Sequence, residues 1–400
     1  CHFKVREERH RGSYGEAVDI RGRNFRQKTD FVQLIAEPPN FFFGLSKNFA
    51  VIHVGSPAAG KRIVCSFWPV GLHQHLLIFG SKRGLSKLQE LNWANVAGWM
   101  SRGGSELGSK RQLPTNVEKI AQALNEQNIE GMLIVGGFEA FHSAKILQDA
   151  RNSYEALNIP IIVIPCSVSN NVPGTCNALG SDTALNEICR QVDNIQQGSR
   201  GSRKRVQIIE TMGERSGYLA TMTALATGAD KVLVFQEKIT DKDVQQIVTD
   251  AYKKIKEGLS HYTIIRSEGA NEEMSCEYLK NAIKALDTDN KVGTLRYTKC
   301  RRISLSTRVD ILCHAQEGGS PSAFDRQMGL RKAIYAFQGF LDPRKMGEND
   351  CCVLGLVGRT LKFTAVSDLL KEVCFEHRIP LKQWWLPLIP LVSELSGSCD

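Results

Sequence analysis

Two polar loops carry the residue types from which a binding or catalytic site could be built. Residues 136–140 place two glycines before Phe138, so a nucleotide could approach the backbone, but phenylalanine cannot hold Mg²⁺, which needs oxygen ligands. Residues 167–174 (SVSNNVPG) offer hydroxyls and amides without a carboxylate. Such a loop can hydrogen-bond a ligand but has no general base, so it predicts binding.

Two further glycine-containing loops each allow two interpretations. Residues 55–60 (GSPAAG) could present backbone N–H groups to a phosphate or form a tight structural turn, and the following segment, 61–80, has no clean helical period. Residues 210–213 (ETMG) lead through Glu214 into a small-residue segment, which fits either close backbone packing or a ligand contact.

A basic pair near the end of the sequence suggests a phosphate clamp. Arg308 and His314 are six residues apart in a segment that alternates with apolar residues. If that strand is regular throughout, both side chains lie on one face, because alternate strand residues share a face.

The overall charge favours anionic partners. The chain has 51 Lys and Arg against 42 Asp and Glu, a net charge of +9, which fits both phosphate-bearing ligands and nucleic acid. The densest basic cluster, Arg200, Arg203, Lys204 and Arg205, lacks the interleaved aromatic residues that stack bases. We interpret it as a solvated loop or a small-phosphate site.

The sequence lacks the signature motifs of several other kinds of enzyme and of zinc sites. The sequence has no G-x-S-x-G elbow, no H-E-x-x-H motif and no G-x-x-x-x-G-K-[ST] loop. Its 12 cysteines include no C-x-x-C pair of the kind that zinc sites use, so we interpret them as free cytosolic thiols.

Apolar runs that alternate with helical patterns must position these loops. The runs are residues 49–54, 132–135, 161–164, 206–209, 232–235 and 262–265, and runs apolar on both faces are typical of buried parallel strands. One helix is predicted after a capping box of Thr115 and Glu118, and another runs from Thr240, with Asp243 three residues on, to Gly258. This alternation predicts doubly wound α/β layers, in which ligands bind at the carboxyl ends of the strands.

Length and composition fit a folded globular chain. The 400 residues predict two or three domains, and an apolar content of 42% excludes disorder and fibres. The apolar stretch at 384–392 is about half of the roughly 20 residues that a membrane-spanning helix needs, so we expect no span. The charged start lacks a signal segment and begins with Cys1 rather than Met, which suggests a piece of a longer chain.

Seven motifs give the sequence a family resemblance. They are GGFEAF (136–141), PCSVSNNVPGT (165–175), LGSDTALN (179–186), IIETMG (208–213), SGYLATM (216–222), GGSPSAFDR (318–326) and FEHRIPLKQWW (375–385). Over roughly residues 15–392 the chain resembles the eukaryotic ATP-dependent 6-phosphofructokinases. These enzymes are tandem duplications, and GGFEAF and SNNVPG are similar to the C-terminal, regulatory half.

The resemblance implies that this half is catalytically silent. The catalytic half has a base and two magnesium-linked carboxylates where this sequence has Ser169, Asn171 and Phe138. Phosphoryl transfer needs that base and that metal charge. The resemblance therefore implies magnesium and ATP for the whole enzyme and neither in this half, a cytoplasmic location, and an old sugar-phosphate site that has become an allosteric site for fructose 2,6-bisphosphate.

The resemblance also implies an effector site, residue by residue. Its contacts are Arg111, Ser167, Val168, Ser169, Asn170, Asn171, Arg205, Met212, Gly213, Glu214, Glu268, Arg308, His314, Ala315, Gln316, Glu317 and Arg378. Four arginines and a histidine suit a bisphosphate, because guanidinium groups hold phosphate oxygens bidentately. In the family some of these arginines cross a subunit interface, which implies a homo-oligomer that also contains the N-terminal catalytic half, with no nucleic acid or membrane partner.

Two positions depart from the family pattern. Position 214 is normally Gly in regulatory halves and position 317 is normally Gln or Arg, but both are Glu here. At about 6 Å and an effective dielectric near 20, each carboxylate opposes a phosphate charge by on the order of 3 kcal/mol before screening. Residues 61–80 depart as well and lack the expected helix start.

The resemblance divides the chain into a connector and two α/β lobes with a ligand cleft between them. The connector is 1–48, the first lobe is 49–181 with 316–348, and the second is 182–315 with 349–400. Two alternatives remain: a free-standing, non-catalytic sugar-phosphate-binding pseudo-kinase, and an active kinase that uses the substituted residues.

Overall fold

The computed structural model describes the chain in ten segments. They are residues 40–46, 49–55, 62–68, 99–103, 113–126, 129–201, 204–289, 305–317, 320–347 and 350–397. The turn at 56–60 and Arg111 lie outside these segments. Contacts among residues 41–400 define one compact unit.

The described strands form two main sheets and a short hairpin. The first sheet has the order β1 (Asn40–Ser46), β2 (Phe49–Gly55), β3 (Arg62–Trp68), β4 (Ile129–Gly136), β5 (Ile161–Pro165), β10 (Cys351–Val357) and β11 (Thr360–Ala365). The second has the order β7 (Lys231–Leu233), β8 (His261–Ser267), β6 (Arg205–Thr211) and β9 (Ser306–Ile311). The hairpin is β12 (Val373–Cys374) with β13 (Ile379–Pro380).

The described helices pack on both faces of these sheets. They are α1 (Val117–Glu126), α2 (Phe138–Asp149), α3 (Ser181–Arg200), α4 (Tyr218–Thr227), α5 (Asp241–Lys256), α6 (Cys276–Asp289), α7 (Ala323–Leu341), α8 (Val366–Leu369) and α9 (Ile389–Leu395). Short 3₁₀ helices lie at Trp99–Ser101, Ala150–Asn152, Glu155–Leu157, Cys313–Glu317, Pro343–Met346, Leu370–Glu372 and Leu386–Leu388. No helix in the described segments is both long enough and apolar enough to cross a membrane.

The predicted doubly wound α/β fold is confirmed, and each of the six apolar runs overlaps a strand. The pairs β3–β4, β4–β5, β6–β8, β6–β9 and β7–β8 are parallel. The pairing of β2 with β3 is antiparallel, so the expectation of parallel strands is wrong there. Strand β1 lies in the predicted connector, and β3 lies in the segment for which no regular element was predicted.

Each sheet has an apolar core on either side. In the first sheet, Leu133 and Ile162 pack towards α7, whereas Ile134 and Ile161 pack towards α1 and α2. In the second sheet, one core includes residues of α3, α4 and α9 and the other includes residues of α5 and α6. Because side chains alternate across a strand, runs that are apolar at every position supply both cores at once.

The helix termini correct one prediction and confirm another. Helix α1 begins at Val117, and its cap is Asn116, whose Oδ1 accepts a hydrogen bond from Lys119 N–H at 2.9 Å. The predicted capping box of Thr115 and Glu118 is therefore wrong by one residue. Helix α5 has the predicted box, in which the Thr240 N–H donates to Asp243 Oδ2 at 2.7 Å.

The predicted assignment of residues 349–400 to the second lobe is wrong for their first part. Strand β10 pairs in parallel with β5, and β11 pairs with β10, so both extend the first sheet. Val366 and Val373 still belong to the core beside α2, whereas Trp385 belongs to a core of the second sheet. The β12–β13 hairpin lies between Val373 and Trp385, so the chain passes from the first lobe to the second through this hairpin.

Candidate functional site

The loop after β5 is buried at the carboxyl edge of the first sheet. Ser167, Val168, Ser169, Asn170 and Asn171 are each at most 7% exposed. The Asn170 side chain accepts from Ala178 N–H at 2.7 Å and donates to the Cys176 carbonyl at 2.8 Å. The Ser169 hydroxyl is buried and has no hydrogen-bond partner among the described residues. The hydrogen bonds from the Asn170 side chain to the backbone therefore fix the shape of this loop, as asparagine side chains commonly do in turns.

The turn after β6 presents backbone N–H groups that the chain itself occupies. Oε1 of Glu268, which follows β8, accepts hydrogen bonds from the N–H groups of Gly213 at 3.0 Å and Glu214 at 2.6 Å. Gln316 Oε1 accepts from the Met212 N–H at 3.1 Å. Consecutive backbone N–H groups of this kind form a concavity that binds anions. Here the anion is a carboxylate of the same chain.

Arg378 joins these two loops. It lies in the turn of the β12–β13 hairpin, and its guanidinium pairs with Oε1 of Glu139 and, at 3.7 Å, with Oε2 of Glu214. Its carbonyl oxygen accepts a hydrogen bond from Asn171 Nδ2 at 3.1 Å. The Arg378 side chain is 35% exposed, so a ligand in solution can reach it.

Several residues of the site have a left-handed backbone. Asn170, Glu214, Cys313 and Arg378 have φ values of 49°, 52°, 46° and 56°. Such conformations cost roughly 1–2 kcal/mol for residues other than glycine, with less for asparagine. Strained backbone of this kind clusters at binding and switch sites, which supports a functional role for these turns.

Phe138 occupies the position at which the resemblance predicts a lost magnesium carboxylate. Its ring is 2% exposed and its centroid lies 5.9 Å from that of Phe141 and 5.6 Å from that of Phe375. The next residue, Glu139, is already paired with Arg378. Magnesium needs oxygen ligands, and the described segments contain no group of three or more His, Cys, Asp or Glu arranged to hold a metal ion. Position 138 therefore supplies no oxygen ligand for a magnesium ion.

Acidic side chains dominate the described part of the site. Glu139 lies in α2, Glu214 and Glu268 lie in the turns after β6 and β8, and Glu317 ends a 3₁₀ helix, whereas Arg378 supplies a cation at the carboxyl ends of the strands. Because carboxylates repel phosphates, a doubly phosphorylated ligand needs further cations from outside this set.

The structure brings most of the predicted contacts together. A continuous series of contacts runs from the loop after β5 through Arg378 to Glu214, and from Glu268 and Met212 to Gln316. His314 and Ala315 lie in the same 3₁₀ helix as Gln316. These residues belong to the loop after β5, the turns after β6 and β8, the 3₁₀ helix Cys313–Glu317 and the β12–β13 hairpin.

Two predicted arginines lie elsewhere. Arg205 begins β6 whereas Met212 follows its last residue, so they are about 23 Å apart at roughly 3.3 Å per residue. Arg308 is exposed and is paired in register with Gln207, the third residue of β6, about 16 Å before Met212 at the same rise per residue. The Nε of Arg205 is buried without a hydrogen-bond partner among the described residues.

The predicted clamp of Arg308 and His314 on one strand face is wrong. Strand β9 ends at Ile311, and Cys313 then adopts a φ of 46°, which starts a 3₁₀ helix. The strand period that would place both side chains on one face is therefore interrupted before His314.

A buried polar cluster supports the far end of the loop after β5. Asp325 accepts hydrogen bonds from the N–H groups of Gly180 and Thr183 at 3.0 and 2.8 Å, and burial raises the pKa of its carboxyl group. Lys332 is fully buried and donates to the Asn177 carbonyl at 3.4 Å. Burial lowers the pKa of Lys332 to about 8.

Sequence reasoning missed Glu139. Glu139 is the second residue of α2, its side chain is 10% exposed, and its Oε2 lacks a hydrogen-bond partner in the described segments. The available signal was a carboxylate two residues after a glycine pair, within an otherwise apolar motif, where a buried charge requires a partner.

The fold and these loops define an α/β protein with two main sheets and a candidate site at the ends of their strands. A family model described as Phosphofructokinase matches residues 48–340. ATP-dependent 6-phosphofructokinase 2 of Caenorhabditis elegans is 45% identical over 388 residues, which cover 95% of this chain and 50% of that protein. The muscle-type enzyme of Homo sapiens is 37% identical over 402 residues, with 96% of this chain and 50% of that protein covered.

Structural comparison gives the same family. The structure of phosphofructokinase from Saccharomyces cerevisiae matches with a TM-score of 0.70 and 30% identity, covering 78% of this chain and 41% of that chain. The Pichia pastoris phosphofructokinase in the T-state matches with a TM-score of 0.68. The chain therefore belongs to the phosphofructokinase family. It spans about half the length of the curated relatives that it matches.

Proposed function

We propose that this chain is the regulatory, non-catalytic half of an ATP-dependent 6-phosphofructokinase, the glycolytic enzyme that phosphorylates fructose 6-phosphate. The observation that carries the proposal is the burial of Phe138 between Phe141 and Phe375. An aromatic core fills the place of a magnesium carboxylate, and neutral Ser169 and Asn171 stand where the base and second carboxylate would be. Phosphoryl transfer without those groups lacks both a proton acceptor and metal charge.

The ligand of this half is fructose 2,6-bisphosphate, which acts as an allosteric activator of the whole enzyme. Support comes from the contact series between the loop after β5, Arg378 and the turn after β6. A partly exposed guanidinium suits a phosphate, which it can bind bidentately. Magnesium and ATP act in the catalytic half of the same cytoplasmic protein.

A second subunit completes the ligand site. By the rise of a strand, Arg205 lies about 23 Å and Arg308 about 16 Å from the level of Met212, and Arg205 Nε has no partner within the described segments. Arginines placed in this way suit the ligand of a neighbouring subunit. They would also supply the cations that the acidic loops of one chain lack, which favours a homo-oligomer.

A coupled assay tests catalytic silence. The 400-residue chain, purified free of host phosphofructokinase, is given Mg²⁺, ATP and fructose 6-phosphate. We expect no turnover, because loss of a base costs about 10²–10⁴ in rate and loss of electrostatic stabilisation roughly 10² or more. A known phosphofructokinase added to the same mixture is the positive control. Magnesium-dependent turnover near one per second that Arg308→Ala abolishes would overturn the proposal.

The acidic residues favour one alternative, a free-standing sugar-phosphate-binding pseudo-kinase without an effector response. Glu214 lies 3.7 Å from Arg378 and opposes a phosphate at that guanidinium. This alternative predicts no effect of fructose 2,6-bisphosphate on the activity of a co-expressed catalytic half, whereas the main proposal predicts activation.

A further inference from the structure

The β12–β13 hairpin contacts both lobes. On one side Phe375 packs against Phe141 and His142 of α2, with ring centroids 6.2 and 5.1 Å apart. On the other side His377 packs on Phe235, which follows β7, with centroids 5.0 Å apart. The hairpin therefore spans the cleft between the two sheets, with one aromatic anchor on each.

Between these anchors Arg378 pairs with one carboxylate from each lobe. Glu139 belongs to α2 of the first lobe, and Glu214 belongs to the turn after β6 of the second lobe. The hydrogen bond from Asn171 to the Arg378 carbonyl adds a backbone attachment to the first lobe. Arg378 thus connects the two lobes across the candidate site.

We propose that Glu139, Arg378 and Glu214 form an interlobe latch, which a phosphorylated ligand opens by taking Arg378 from Glu214. The carboxylate of Glu214 takes the place of a ligand phosphate and holds the hairpin when no ligand is bound. The ligand part of this inference rests on the proposed function, whereas the latch itself does not.

Glu214 is the exchangeable partner and Glu139 the fixed one. The Glu139 side chain is 10% exposed and the Glu214 side chain is 24% exposed. The distance between Arg378 and the Glu214 carboxylate is 3.7 Å. A long, partly exposed ion pair contributes little to stability. Removing one partner of a buried ion pair strongly destabilises the fold, because the remaining charge is left buried without compensation. A phosphate that reaches Arg378 is repelled by Glu214 at the same time, so the two anions exclude each other.

Peptide-resolved hydrogen exchange on the ligand-free chain tests the latch. The hairpin, residues 373–380, is compared in the wild type, in Glu214→Gln and in the control Glu257→Gln, which removes an exposed carboxylate at the end of α5. We expect exchange in the hairpin to be about threefold faster or more in Glu214→Gln and unchanged in the control, because local opening follows local stability. Unchanged exchange in Glu214→Gln would overturn the latch. If that variant does not fold, Glu214→Gly replaces it.

Calorimetry with fructose 2,6-bisphosphate tests the exchange of partners. We expect Glu214→Gln to bind about tenfold more tightly than the wild type and Glu257→Gln to bind like the wild type. Equal binding by the wild type and Glu214→Gln would overturn the exchange at Arg378. If neither form binds, the proposed effector function fails and the ligand part fails with it. The hydrogen-exchange result still decides separately whether the latch exists.

Discussion

The N–H of Gly269 donates to the Glu214 carbonyl at 3.0 Å, and a Cβ at position 269 would lie 2.2 Å from that oxygen. The turn after β8 therefore rests directly on the turn after β6. This contact leaves no room for a side chain and fixes the carbonyl of a residue whose φ is 52°. The sequence allowed two interpretations of the segment after residue 210, close backbone packing and a ligand contact. One turn can do both.

The first prediction concerns this contact. We expect Gly269→Ala to lower the free energy of unfolding by about 1–3 kcal/mol, because the added methyl group must displace backbone rather than a flexible side chain. Urea denaturation measures the change. The control is Gly198→Ala, in helix α3 with no heavy atom near the added Cβ, which we expect to be neutral or slightly stabilising. Equal stabilities of the two variants would contradict the close approach.

The second prediction concerns the acidic residues of the site. We expect the double variant Glu214→Gly, Glu317→Gln to bind fructose 2,6-bisphosphate at least about tenfold more tightly than the wild type, if each carboxylate opposes binding by upward of ~1 kcal/mol. Isothermal titration calorimetry at low ionic strength measures both constants, and the difference should shrink as salt screens the charges. No difference at low salt would mean that neither carboxylate faces the ligand.

Much of the framework follows from local sequence. The apolar runs at 161–164 and 206–209 predict buried strands, because only a strand covered on both faces needs apolar residues at every position. The polar loops that follow them must then lie at the carboxyl ends. Thr240 and Asp243 fix the start of α5 through contacts within four residues.

Other features depend on contacts between distant parts of the chain. The partners of Arg378, Glu139 and Glu214, are 239 residues (378 − 139) and 164 residues (378 − 214) away, and nothing in a local pattern pairs them. The return of β10 to the first sheet is equally non-local. The break after β9 was missed for a different reason, since it depends on a left-handed Cys313, a conformation that the residue type does not favour.

The third prediction uses the buried Lys332. Burial lowers its pKa from 10.5 to about 8, so between about pH 8 and 10.5 the folded state loses this proton before the unfolded state does. The contribution of Lys332 to the free energy of unfolding therefore rises with pH across that window. At pH 7 the charged group destabilises the fold, and Lys332→Met should stabilise it by up to about 3 kcal/mol, less the lost hydrogen bond to Asn177.

Denaturation at several pH values checks this prediction. We expect the stability difference between Lys332→Met and the wild type to decrease as the pH rises from 7 to 9.5. The control Lys345→Met removes an exposed lysine and should leave the stability at pH 7 within about 0.5 kcal/mol of the wild type. A stability difference for Lys332→Met that stays constant with pH would mean that the pKa of Lys332 is not lowered.

The fourth prediction concerns assembly. If Arg205 and Arg308 serve the ligand of a neighbouring subunit, fructose 2,6-bisphosphate binds the assembled state preferentially and raises the dimer fraction. Sedimentation velocity at micromolar protein measures this fraction with and without saturating ligand. We expect the increase to disappear in Arg308→Ala. A monomer under both conditions would contradict assembly through this surface.

The most direct test of the central claim is a calorimetric titration of the chain with fructose 2,6-bisphosphate. The account predicts binding by the wild type, at least tenfold weaker binding by Arg378→Gln, and unchanged binding by Arg344→Gln, whose exposed guanidinium pairs with Asp342 outside the site. The loss follows from removal of a guanidinium that can hold phosphate oxygens bidentately. Absence of binding by the wild type, or equal affinity of the wild type and Arg378→Gln, would contradict the account.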